Sequence, residues 1–179
     1  MERRVEVHTT ITRELYREMA YFQVFRRKKT TLPLGILGYL VAIAVVVSKL
    51  LGYYTVDQFV FGQFTFYLCV ALLFLPFLMV GLTEWQVKKV AEMKNTTIGQ
   101  SHTLIIDDEG ITTRVESGEA GFHWIKLREG HEIGKAFLFY VRETQALAID
   151  KGQLTAEQAD TIRALAIDHM GKRFTVHRW

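Results

Sequence analysis

Two long apolar runs, residues 32–54 and 59–82, constrain this chain more than any other feature. Apart from tyrosines and one cysteine, they hold a single ionisable side chain, Lys49. At 1.5 Å per residue each run makes a helix of roughly 35 Å, enough to cross a hydrocarbon core about 30 Å thick with some tilt. Only Thr55, Val56, Asp57 and Gln58 lie between them, so the second run turns straight back into the layer the first has crossed. The expected element is a membrane helical hairpin, with the lipid bilayer as its first partner.

Charge placement orients it. Arg26, Arg27, Lys28 and Lys29 precede the first run, Lys88, Lys89 and Lys94 follow the second, and the intervening loop offers only Asp57. Lys and Arg beside membrane ends favour the cytoplasmic side, so both termini are expected there. The cluster at 26–29 also attracts anionic lipid, by about 1 kcal/mol per charge near the surface. Lys49 lies near the outer end of the first run, where its stem can snorkel to the interface and Asp57 is its nearest carboxylate. Tyr53, Tyr54 and Trp85 sit where amphipathic aromatics gather at an interface.

Within the spans, Ala44, Ser48 and Gly52 recur at four-residue spacing, and Gly38 with Ala42 forms another such pair. Small residues so spaced let two backbones approach closely in lipid, either in self-assembly or against the chain's own second span. Pro76 is expected to kink the second helix without ending it, because apolar sequence resumes at once. The helical period then continues through residues 83–94. Cys69 has no partner for a disulfide and reads as a packing residue. About thirty polar and charged residues precede the first run, so it is not expected to be a cleaved leader.

Around the hairpin the period changes. Val5, Val7, Thr9 and Ile11 alternate with polar residues as in a strand covered on one face, and residues 13–29 follow as an amphipathic helix with Thr12 as its cap. After a linker at 95–99, short strands follow one another: Leu104 and Ile106, a turn at Asp107-Asp108-Glu109-Gly110, then Ile111, Thr113 and Val115. A turn at 117–119 leads to a third strand marked by Phe122 and Trp124, and Ile125 and Leu127 lead into a fourth carrying Ile133. Residues 136–142 form the most apolar strand, and Leu147 and Ile149 the last. Thr155 with Gln158 is a capping-box pattern opening a helix that uses Ala159, Ile162, Leu165 and Ala166, and Gly171 stops it. The fold class is therefore a membrane helical hairpin plus an α+β domain, a strongly curved antiparallel meander closed by a C-terminal helix. The expected segments are 1–31, an N-terminal strand and helix; 32–95, the hairpin with its helical extension; 101–171, the domain; and 172–179, a tail.

Several functions find no support. Residues 1–31 carry eight Lys/Arg against four Glu, while 101–179 carry ten against twelve Asp/Glu. A duplex binder concentrates positive charge on its folded module, so nucleic acid is not the expected partner. No histidine stands near another His or Cys at the spacing of a compact metal site, and adjacent His131 and Glu132 point to opposite faces of a strand. Neither a nucleophile elbow nor a phosphate-binding loop occurs, and Ser101 and Ser117, the serines near a histidine in sequence, lie at a turn or linker. No cofactor and no catalytic residue is expected.

The order of these pieces carries a resemblance. Two close spans, then Ile106-Asp107-Asp108-Glu109-Gly110-Ile111, Trp124-Ile125, Phe137-Leu138-Phe139-Tyr140, Ala148-Ile149-Asp150-Lys151 and a final helix resemble the bacterial YcxB-like membrane proteins, over residues 5–170 and best over 104–151. The resemblance implies a hairpin in the bacterial cytoplasmic membrane bearing a cytoplasmic PH-like domain, a binding or regulatory module with no catalytic residues to transfer. A PH-like domain invites phosphoinositide binding, but its first turn is acidic where phosphate would sit. A protein partner on a sheet edge or against the helix fits better. The other reading is a structural or channel-like oligomer assembled through the small-residue face.

Overall fold

The computed structural model describes residues 3–27, 31–53, 62–93, 98–115 and 118–177. The chain divides into two compact units, Met1–Tyr16 with Ala91–Trp179, and Arg17–Val90.

In the first unit, β1 (Arg4–Thr10) alternates exposed and buried residues as its sequence requires, with Val5, Val7 and Thr9 inward. It pairs antiparallel with β2 (Ser101–Asp107), setting Val5 opposite Ile106 and Val7 opposite Leu104. β3 (Gly110–Val115) and β4 (Gly118–His123) complete a sheet of order β1-β2-β3-β4. The expectation that residues 1–31 stand apart is thereby corrected: β1 is an outer strand of the sheet whose other members lie beyond the apolar runs. Its cross-strand partners, not its sequence neighbours, cover its inner face.

A second sheet has the order β7-β6-β5-β8, from β5 (Glu129–Glu132), β6 (Ala136–Tyr140), β7 (Ala146–Asp150) and β8 (Phe174–Val176). The single meander expected from the sequence is thus two sheets. A 3-10 turn at Trp124–Lys126 separates them, so Trp124 leaves the third strand and Ile125 projects into solvent at 82% exposure. The tail assigned to 172–179 is corrected as well, because β8 within it runs parallel to β5 and seats Phe174 opposite Gly130. A side chain at Gly130 would begin 2.8 Å from the Phe174 ring, so the glycine makes room for that strand.

All five residues of β6 are buried. Phe137 and Phe139 meet Leu104, Ile106, Ile111 and Trp124 in one core. α4 (Ala156–Met170) covers that core with Ile162, Leu165, Ala166 and Met170. Its capping box forms as its sequence indicates, Thr155 Oγ1 accepting from Gln158 N and Gln158 Oε1 from Thr155 N. Gly171 ends it at φ +53°.

In the second unit, α1 (Arg13–Phe25), shared between the units, is followed by α2 (Thr31–Leu50) and α3 (Gly62–Glu92). α3 runs unbroken through Pro76 and past residue 82, as the helical period indicates. α2 is shorter than the apolar run: Tyr53 N donates to Ser48 O at 3.0 Å across Gly52, whose φ is +75°. Gly52 is therefore the terminating glycine of the helix and not a member of its small-residue stripe. The linking residues 55–58, with Asp57, lie outside the described residues.

Candidate functional site

α2 and α3 are each long and apolar enough to cross a membrane, over Pro33–Leu50 and Gln63–Glu92, and only 6% of the apolar 18-residue stretch of each is buried. Among the described residues Ala42 is the one buried position between Pro33 and Leu50, and Cys69, Thr83 and Val87 are those of α3. A core helix of a water-soluble domain covers a full apolar stripe against its neighbours. Here Leu34, Leu40, Phe74, Phe77 and Leu78 all stand open. Apolar exposure on that scale marks contact with lipid or with another protein.

The residues singled out from the sequence are spread along this unit. Arg26 and Arg27 follow α1, both amides donating to Phe22 O at 2.9 Å as the helix ends. Lys28 and Lys29 lie outside the described residues. Lys49 does not reach out alone: its Nζ sits 3.6 Å from the centre of the Phe66 ring, a cation–π contact between α2 and α3. Trp85 is 57% exposed, and Lys89 Nζ lies 4.9 Å from its ring centre one turn on; Lys88 is exposed beside it.

A contact that residue spacing did not reveal ties α1 to α3. Glu84 accepts from Arg17 Nε at 2.6 Å and from the Tyr21 hydroxyl at 2.8 Å. Glu84 is 67 positions from Arg17 and 63 from Tyr21, so only the packing of the two helices brings it to them.

The C-terminal unit has three polar clusters. Glu132 is 5% exposed and clamped by Arg163, whose Nε and NH2 approach its two oxygens at 2.6 and 2.7 Å, and by Lys151 Nζ at 2.8 Å. Burial opposes its charge, but the hydrogen bonds from Arg163 and then Lys151 outweigh burial and hold its carboxyl below the usual range. Glu132 thus joins β5 to α4 and to the end of β7.

In the second cluster Asp108 accepts from His169 Nε2 at 3.2 Å and from Arg3 at 2.9 Å, and its carboxyl is likewise held low, by His169 first. Asp107 Oδ1 accepts from the amides of Glu109 and Gly110. Asp107 and Asp108 of the acidic turn therefore spend their carboxylates on the fold. Trp124 stacks on His169 at 5.6 Å, donates from Nε1 to Asp107 O at 2.8 Å, and is buried as a core residue. The third cluster pairs His131 Nδ1 with His177 Nε2 at 3.2 Å, two histidines 46 positions apart. Glu132 and His131, although adjacent on β5, are both buried.

No curated protein and no solved structure matches the chain. Residues 106–166 match the model of the family described as YcxB-like protein. The match begins in β2 and ends in α4, so it spans β3 to β7, the acidic turn and the Glu132 clamp. Over this segment the chain is similar to the YcxB-like family.

Proposed function

We propose that the protein is an integral protein of the bacterial cytoplasmic membrane, anchored by α2 and α3 as a two-span hairpin with both termini in the cytoplasm. In this reading its C-terminal unit is a PH-like module that binds a protein partner or regulates one, and performs no catalysis of its own. The observation that carries it is the pairing of β1 with β2 from Arg4 opposite Asp107 to Thr10 opposite Ser101. A backbone ladder cannot be strung across a bilayer, where each unpaired polar group costs several kcal/mol. The chain that leaves water after β1 must therefore re-enter on the same side before β2, which requires an even number of crossings. The two exposed apolar helices supply two. Arg26, Arg27, Lys88 and Lys89 then favour the cytoplasmic side.

Four strands in one sheet, three antiparallel strands in the next and a C-terminal helix over the core support the PH-like reading. The carboxylates of Asp107 and Asp108 in the first turn, already bonded to the turn amides, Arg3 and His169, speak for a protein partner over an anionic headgroup. Reporter fusions at Met1 and Trp179 test the topology. Both are expected on the cytoplasmic side, and signals from opposite faces of the membrane overturn the reading.

One observation favours a second reading, a structural or channel-like assembly. An open groove of about 460 Å³ is lined by Val41, Ala44, Val45, Ser48, Tyr53 and Thr65. Ala44 and Ser48 of the small-residue stripe thus line a concavity that another helix would fill. Replacing both by Ile is expected to lower the oligomeric state in mild detergent, and an unchanged state removes this reading.

A further inference from the structure

The two sheets of the C-terminal unit have four outer edges, and three are blunted. Along β1, the Gln153 side chain accepts from Thr10 N at 2.9 Å and donates to Thr10 O at 3.1 Å, while Gln158 Nε2 donates to Glu6 O at 3.3 Å. β7 ends beside β1, where Asp150 N donates to Thr9 Oγ1 at 3.5 Å. β8 is only three residues long. β4 is different: it runs for six residues in unbroken register with β3, five of the six are exposed, and no described residue caps its outer side. Its sequence, Gly-Glu-Ala-Gly-Phe-His, has neither the lysine nor the proline with which edges are commonly protected.

We propose that β4 is a homotypic docking edge, pairing antiparallel with β4 of a second copy about a two-fold axis at Gly121. The strand is self-complementary about that residue. In this register Glu119 faces His123 of the second copy, a carboxylate opposite an imidazole N–H donor. Ala120 faces Phe122, an apolar cross-strand pair, and Gly121 faces itself with no side chain to clash. Each copy offers the same surface, so the contact closes as a dimer and does not propagate. A single strand pair is small beside the interface of about 1,200 Å² or more typical of a stable complex. Confinement of both copies to one membrane supplies the missing effective concentration. This inference rests on the reading of the C-terminal unit as a binding module and names its partner.

The test uses the full chain in its membranes with Cys69→Ala as background. A Cβ at Gly121 meets only Thr112 Oγ1 at 3.6 Å, an ordinary contact, so Gly121→Cys is tolerated. Mild oxidation is expected to link Gly121→Cys chains to one another several-fold more than chains carrying Glu157→Cys, an exposed position on α4. The lysine introduced by Glu119→Lys is expected to reduce that yield. Adding Ala44→Ile and Ser48→Ile is expected to leave it intact, which separates this edge from assembly through the spans. Mixing Glu119→Cys chains with His123→Cys chains repeats the test with exposed side chains if Gly121→Cys does not fold. Equal linking at 121 and 157, or a folded variant linked to a different protein and not to itself, overturns the proposal.

Discussion

β6 and α2 are both strongly apolar, yet the chain treats them in opposite ways. Every residue of Ala136–Tyr140 is buried by the chain itself, whereas between Pro33 and Leu50 only Ala42 is. Apolar content alone therefore does not say where a segment's partner comes from. The C-terminal unit carries its own nonpolar surroundings in two sheets and a helix. α2 and α3 leave most of their apolar surface open, and each holds an apolar segment, of 18 and 30 residues, long enough to cross a hydrocarbon core.

The largest test of this contrast removes the one element that crosses between its halves in sequence. A fragment starting at residue 98 lacks β1, leaving Leu104 and Ile106 without Val7 and Val5 opposite them. It is expected to fail to give a native near-ultraviolet circular dichroism spectrum. Joining residues 3–11 ahead of it through a flexible linker is expected to restore a soluble, cooperatively folding unit. A fragment that folds equally well without β1 would break the account of the sheet.

Next come matched truncations. Phe137→Ala empties a fully buried site and is expected to destabilise the C-terminal unit by about 3–5 kcal/mol in thermal denaturation. Phe74→Ala, on a side chain 65% exposed, is expected to leave that unit's transition within about 0.5 kcal/mol. Similar losses at both positions would mean that α3 belongs to the same core.

The Glu132 clamp sharpens the comparison on the polar side. Glu132→Ala strands Arg163 and Lys151, which retain partial access to water, and is expected to cost about 2–3 kcal/mol. Because the folded carboxyl lies below its ordinary value of 4.5, its contribution is fully present above that pH. It is lost as pH falls through the lower folded value. The wild-type chain should therefore shed stability on acidification over a range in which Glu132→Ala has less to lose, as denaturant midpoints measured against pH will show. The smallest effect belongs to Lys49→Met. Loss of its contact with Phe66 is expected to cost about 0.5–1 kcal/mol of helix association in detergent. A larger loss would mark Lys49 as more than a packing cation.

Much of this architecture was legible in the residues. The period-two alternation at Val5, Val7 and Thr9, the capping box of Thr155 and Gln158, and the continuation of α3 past Leu82 all follow local rules that a single segment satisfies. The break at Trp124 was not legible, because Phe122 and Trp124 continue a strand pattern. The indole is instead drawn away by the backbone of Asp107 and the ring of His169. Gly52 also misled, since a small residue at helical spacing and a helix-ending glycine are the same letter until the backbone turns.

By itself the sequence determined the kinds of element and their order: two helices long and apolar enough to cross a membrane, a strand before them, strands and a capped helix after. Those outcomes depend on periodicity and on interactions a few residues apart. Only the tertiary structure decided which strand lies beside which, that Glu132 meets Arg163, that His131 meets His177, and that β4 is left with an open edge. Each joins residues or leaves them apart over distances along the chain where spacing carries no signal. The physical reason is that such contacts are selected by the shared burial of whole faces, and a face has no partner until the chain has closed upon itself.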